Sequence, residues 1–204
     1  MEIGFGSKKL LSINAEIHSG KLTALIGRNG VGKSTLLKTI AGLTPPLSGS
    51  VKWNDLALEK LLPSQMATVC SIVFTQRPPV QGLTVYAVLE LGRFPHHKKE
   101  KNTEKDQTII AHFAASMQIE HLLERAIETL SDGEMQKVMI ARAFIQETPI
   151  ILLDEPTAFL DYIAKEEVIA LLKENAIIED KIVLFSSHDM GLIEKFAHAR
   201  LGLG

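Results

Sequence analysis

Leu22-Thr23-Ala24-Leu25-Ile26-Gly27-Arg28-Asn29-Gly30-Val31-Gly32-Lys33-Ser34-Thr35-Leu36-Leu37-Lys38-Thr39-Ile40-Ala41 decides the fold. An apolar run feeds the spacing G-x-x-x-x-G-K-[ST], which runs straight into a helical pattern. Strand, glycine-rich loop and helix in that order turn the spacing into a phosphate-binding loop. Gly27, Gly30 and Gly32 let the backbone curl so that successive N–H groups point inward. A helix starting near Lys33 adds its positive dipole end. Lys33 brings a point charge to the β/γ-phosphates, and the Ser34 hydroxyl can ligate Mg²⁺. Asn29 and Thr35 belong to the same cradle. A chance glycine-rich turn would lack these flanks, so the stretch implies a bound nucleoside triphosphate.

The chain has 204 residues, which suits one domain or one domain with a small lobe. A hydrophobic content of 46% supports a sizeable core, and the net charge of −2 comes without a strongly basic stretch. That leaves no electrostatic footprint for nucleic acid. Apolar runs such as Ile150-Ile151-Leu152-Leu153 are far too short to span a bilayer. Residues 1–20 lack a basic start followed by an apolar core, so no signal peptide is expected. The single Cys70 sits in the apolar run Val69–Phe74 and reads as a buried strand residue. One cysteine allows no intrachain disulfide, and a reducing, soluble compartment is expected.

Strand-like runs recur at residues 10–17, 22–26, 67–74, 150–154 and 181–185, with helical patterns at 33–42, 133–146, 161–175 and 189–198. The alternation predicts a mainly parallel sheet covered on both faces. Residues 48–53 read as an antiparallel edge strand after the Pro45-Pro46 turn, with Trp53 as packing. Residues 84–126 break the alternation. Val85–Gly92, Asp106–Met117 and Ile119–Arg125 read as helices of an inserted lobe. The core is then 1–83 plus 127–204. Lys98-Lys99-Glu100-Lys101 reads as a solvated helix approach. His96-His97 lacks a Cys or carboxylate at ligand spacing, so an exposed loop is expected there rather than a metal site.

Ile150–Leu153 leads into Asp154-Glu155-Pro156. A buried parallel strand delivers such carboxylates to the ligand edge of its sheet. Asp154 would hold Mg²⁺ directly or through water. Glu155, beside it, would act as general base on the water that attacks the γ-phosphate. Alone, an Asp-Glu pair reads as a helix start. Combined with residues 27–35, it reads as catalysis.

At this point the chain resembles the ATPase subunits of ABC transporters over nearly its whole length. Leu130-Ser131-Asp132-Gly133-Glu134 is similar to the family signature LSGGQ, and residues 135–143 to the helix that follows it. Gln76 matches the Q-loop glutamine, Ala158-Phe159-Leu160-Asp161 the D-loop, and His188 the switch histidine. Phe5 sits where the family places an aromatic that stacks on adenine. Each string is short, but six in the family's order form a specific pattern.

The resemblance implies a P-loop α/β ATPase core with an antiparallel edge and an inserted helical subdomain, using ATP and Mg²⁺. Ser131 and Gly133 would contact the γ-phosphate held by a second copy of the chain, with Asp161 reaching across that interface. His188 would bond the γ-phosphate and orient Glu155. Gln76 would link Mg²⁺ and water to the lobe, which would dock on an integral membrane permease. The subunit would then lie peripherally on the cytoplasmic face of the membrane, with a periplasmic or surface binding protein as an indirect partner.

Leu91-Gly92-Arg93-Phe94-Pro95-His96 resembles a segment of importers for iron–siderophore, haem and cobalamin. Its plainer reading is an ordinary helix terminus with Gly92 and Pro95 as stop signals. Asp132 and Glu134 replace the signature's usual Gly and Gln, and Ala158 a common Ser. Both ends look trimmed beside the family. A soluble ABC protein of DNA repair or translation stays open as an alternative, although long coiled-coil insertions and basic surfaces are missing. A small-molecule P-loop kinase would not explain residues 130–143 or His188.

Overall fold

The computed structural model describes residues 1–6, 8–76, 81–97 and 103–203, without the Phe5 side chain. Lys98–Lys101 lies outside the described residues.

Five parallel strands form the central sheet. They are β3 (Lys21–Gly27), β6 (Cys70–Val73), β7 (Ile150–Leu153), β8 (Ile182–Ser186) and β9 (Ala199–Leu203). Their spatial order is β6-β7-β8-β3-β9. Period-two alternation divides β7 between two cores. Ile151 and Leu153 join the larger core, while Ile150 and Leu152 join the smaller one. Helix α1 (Lys33–Ile40) and α2 (Pro63–Val69) cover the smaller core. The larger core is covered by α5 (Asp132–Ile145), α6 (Tyr162–Ile178) and α7 (Met190–Phe196). Burial on both faces explains why these strands read as continuous apolar runs. Two small antiparallel hairpins complete the β structure, β1 (Glu2–Phe5) with β2 (Lys8–Ser12) and β4 (Lys52–Trp53) with β5 (Leu56–Ala57).

The segment between β6 and β7 contains α3 (Val85–Glu90), a 3₁₀ segment over Leu91–His96, and α4 (Glu104–Ser116). Its entry and exit are stitched together. The Val85 amide donates to Arg125 O, Tyr86 to Leu123 O and Ile127 to Leu83 O, each at 2.9 Å. Val88, Leu89, Ile110, Ala114 and Leu122 share one core with Val138 and Phe144 of α5. Gly92 is required there, because a Cβ would stand 2.8 Å from Arg142 O.

Several boundaries differ from the sequence reading. The strand expected over 10–17 stops at Ser12, because its partner β1 begins at Glu2 and Ile13 meets only Met1. Ala67–Val69 is helical. Pro63 in the first turn and the Gln65 carboxamide accepting from the Leu62 amide start a helix that reads through to the strand. The helix expected over Ile119–Arg125 is only a 3₁₀ turn at Glu120–Leu122. The edge strand expected over 48–53 shrinks to β4, with Ser48 bridging Glu2. Strand β9 was not anticipated.

His96 is exposed, as expected, at the end of the 3₁₀ segment, while His97 is half-buried. His96 Nε2 lies 2.7 Å from Gln146 O, and His97 Nε2 lies 3.0 Å from Asp106 Oδ2. No cluster of three or more potential metal ligands occurs among the described residues. Cys70 is buried at the start of β6, and burial pushes its thiol pKa up to about 12. No helix among the described residues is long and apolar enough to cross a membrane.

Candidate active site

The site lies beyond the carboxyl ends of β3, β7 and β8, where an open parallel sheet places its ligands. A cavity of about 420 Å³ is lined by Asn29, Gly30, Gly32, Lys33, Ser34, Thr35, Thr75, Asp154, Glu155 and His188, with Leu10 at its rim. The loop between β3 and α1 passes through Gly30 (φ 76°) and Gly32 (φ 111°), conformations that side chains rarely tolerate. No side chain caps α1, so its first amides are not consumed by the chain itself. Gly27 is packed too closely for any side chain, since a Cβ would meet Leu203 O at 2.9 Å. The Lys33 ammonium donates to Gly27 O at 2.8 Å and Arg28 O at 3.4 Å.

The two acids follow β7 directly. Register pairing of β7 with β6 and β8 carries on past the end of β7. The Asp154 amide donates to Val73 O at 2.9 Å, and Thr75 Oγ1 donates to Asp154 O at 2.8 Å. Glu155 adopts φ 49°, a left-handed conformation that is costly for a residue with a Cβ. Its Oε1 is buried and meets no hydrogen-bond donor among the described residues. The closest group is His188 Nε2 at 3.0 Å, an ion-pair distance without hydrogen-bond alignment. Burial raises the Glu155 pKa above its ordinary value, and the charge of Asp154 adds to that, while His188 and Lys33 pull it back.

His188 Nε2 also lies 3.3 Å from Lys33 Nζ. With the ring proton on Nδ1, Nε2 accepts from Lys33.

A second cavity, of about 580 Å³, contains Ser131, Asp132, Gly133, Glu134, Lys137, Phe159 and Asp161. It shares no lining residue with the first. Ser131 caps α5 in a reciprocal box. Its amide and its hydroxyl each donate to Glu134 Oε2 at 2.8 Å, and the Glu134 amide returns to Ser131 Oγ at 3.3 Å. These bonds hold the Glu134 carboxyl below the usual range. Asp161 caps α6 by accepting from the Ala164 amide at 2.9 Å.

The sequence-predicted residues therefore fall into groups. Asn29, Gly30, Gly32, Lys33, Ser34, Thr35, Asp154, Glu155 and His188 come together, with Gly27 behind them. Ser131, Gly133 and Asp161 come together elsewhere. Gln76 is exposed and lines a neighbouring groove with Lys38, Phe74, Met139 and Arg142 rather than the Lys33 cavity. The Phe5 side chain lies outside the described residues. Thr75 and Ser186 were missed, and a hydroxyl at the end of an apolar strand was their only signal.

A family model described as ABC transporter matches residues 10–158. The chain is 34% identical over 203 residues to the iron(3+)-hydroxamate import ATP-binding protein of Bacillus subtilis, covering 98% of this chain and 76% of that protein. It is 38% identical over 174 residues to the thiamine import ATP-binding protein of Vibrio cholerae, covering 85% of this chain and 71% of that one. The structure of a dimeric bacterial ABC transporter cassette superposes with a TM-score of 0.87 at 26% identity, covering 99% of this chain and 90% of that chain. With this fold and these matches, the chain belongs to the ABC transporter family as an ATP-binding cassette of ATPase type.

Proposed function

We propose that the chain hydrolyses ATP-Mg²⁺ as a head-to-tail dimer to drive an importer, with an iron–siderophore, haem or cobalamin as cargo. The observation that carries the ATPase reading is Glu155 Oε1, a buried carboxylate oxygen without a hydrogen-bond donor among the described residues, at the edge of the Lys33 cavity. A water held there would donate to it and lie beside the γ-phosphate. Lys33 supplies the compensating charge, and His188 Nε2 stands 3.3 Å from Lys33 Nζ and 3.0 Å from Glu155 Oε1.

Ser34 and Asp154 face the same cavity with hard oxygen donors, which suits Mg²⁺. The ion would neutralise phosphate charge when bound. Gln76 would join it through movement of the adjoining loop. Phe5 would stack on adenine.

The separation of the two cavities supports a sandwich. Ser131, Gly133 and Asp161 do not reach the phosphate cavity of their own chain, so a second copy would present them to it. The dimeric form of the similar cassette agrees with this arrangement. The lobe at 84–126 would dock on the permease at the cytoplasmic face, with a substrate-binding protein beyond. The hydroxamate relative supports the metal-chelate cargo. The thiamine relative accords with a cassette that never touches cargo and leaves that choice to its membrane partners.

ATP turnover without any phosphate acceptor tests the reading. Phosphate release per chain should rise with chain concentration as dimers form. Ser131→Ala should lower it about 10–150-fold, as expected for loss of one hydroxyl donor to a charged phosphate at about 1.5–3 kcal/mol. A requirement for an acceptor substrate, or turnover indifferent to both concentration and Ser131, would reject it.

A further inference from the structure

Ser186 ends β8 and is fully buried. Its hydroxyl donates to Asp154 Oδ1 at 2.8 Å and accepts from the Glu155 amide at 2.9 Å. One side chain thus bonds to both residues of the acid pair. It does so from the neighbouring strand, where Leu153 is in register with Phe185.

The two bonds do different work. The first engages Oδ1 of Asp154 and so limits the carboxylate's rotation. The second holds the Glu155 amide while the residue turns through a left-handed φ of 49°. A β-carbon-bearing residue keeps that conformation only where its surroundings over-determine it. The turn decides where the Glu155 side chain departs from the sheet, and here it departs toward His188.

We propose that Ser186 is a positioning residue for the reaction, setting the Asp154 carboxylate toward the cation and the Glu155 carboxylate toward the attacking water. This rests on the ATPase reading above. A packing serine would need neither bond, and an alanine would serve β8 as well. Among the described residues the hydroxyl is instead the one side-chain group that bonds both Asp154 and Glu155.

The test compares wild type, Ser186→Ala, Ser186→Thr and Glu155→Gln in full-length chain. Turnover is measured across ATP and Mg²⁺ concentrations, and Mn²⁺ binding to the ATP complex by electron paramagnetic resonance. Ser186→Ala should lower kcat about 10–100-fold, the usual scale for lost outer-shell partners of a metal ligand. KM for ATP should stay within threefold, and Mn²⁺ binding should weaken about tenfold. Ser186→Thr, which retains the hydroxyl, should recover most of both effects. Wild-type kcat and Mn²⁺ affinity in Ser186→Ala would overturn the proposal. So would a lower kcat with an unchanged Mn²⁺ affinity and a lower melting temperature, which marks a structural role. Glu155→Gln separates the two levels. If it keeps wild-type turnover, the ATPase reading fails. If it stops turnover while Ser186→Ala is silent, only the role of Ser186 fails.

Discussion

Glu155→Gln should stop steady turnover while leaving ATP bound, lowering kcat by about 10²–10⁴-fold. The amide is nearly isosteric, so the left-handed turn and the Ser186 contact to the backbone amide remain. What disappears is the basic oxygen. Gln also removes a negative charge facing the γ-phosphate, so the ATP-bound dimer should persist. Light scattering with ATP and Mg²⁺ should register that dimer, and phosphate release should register the loss of turnover. Undiminished turnover would take Glu155 out of its role.

A pH profile provides an independent check. Burial raises the Glu155 pKa, and a base must be deprotonated to act. Activity should therefore fall on the acid side with a midpoint above 4.5, the ordinary value for the group. An acid limb centred at or below that value would place another group in control.

Arg93→Ala should destabilise the chain by about 3–5 kcal/mol, the scale for breaking a buried ion pair from one side. Arg93 is 2% exposed. Its Nε donates to Asp106 Oδ1, and its Nη1 to Ile145 O and Glu147 Oε2, all at 2.7 Å. The guanidinium thus joins the 3₁₀ segment, the first turn of α4 and the last turn of α5. Near the end of α5 it also meets the negative pole of that helix. Removing it strands Asp106, which is 3% exposed, with only its Thr103 and His97 partners. Lysine would not restore three bonds from one planar fork. Denaturant titration should also find Arg93→Leu combined with Asp106→Leu less damaging than Arg93→Ala. Equal stability of Arg93→Ala and wild type would dismiss the network as an energetic element.

Acid should reveal the same network. Burial alone would raise the Asp106 pKa, but hydrogen bonds from Arg93, Thr103 and His97 prevail and hold it well below the carboxylate range. A depressed folded-state pKa contributes stability above the unfolded value of 3.8 that is lost as pH falls through the folded one. Asp106→Asn should flatten the acid limb of stability while leaving its shape near neutrality unchanged.

The strand, loop and helix around Lys33 were legible because Gly, Lys and Ser stand at fixed spacing between an apolar run and a helical pattern. The acid pair was legible because a fully buried parallel strand reads as four apolar residues ending in charge. Contacts made across long sequence separations were not. Arg93 lies 13 residues from Asp106 and 54 from Glu147, and nothing in Gly92-Arg93-Phe94 announces either partner. Ser186 looks like any strand-end hydroxyl until the register with β7 is known. Strand β9 escaped because Ala199-Arg200-Leu201-Gly202-Leu203 has weak β preference and owes its conformation to pairing with β3. The run 10–17 misled for the opposite reason. Its apolar content reads as a strand throughout, yet a ladder extends only as far as its neighbour does. His97 was misplaced because a carboxylate at ion-pairing distance lies nine residues away.

Cys70 gives the molecule a built-in clock for its own opening. It is the chain's only thiol, and its pKa near 12 against an ordinary 9.0 makes the folded form about a thousandfold poorer in thiolate. A dye that consumes thiolate should therefore label Cys70 mainly when the surroundings of β6 open. Since β6 is the edge strand that leads to Thr75 in the Lys33 cavity, labelling rates with and without ATP compare how often that edge loosens.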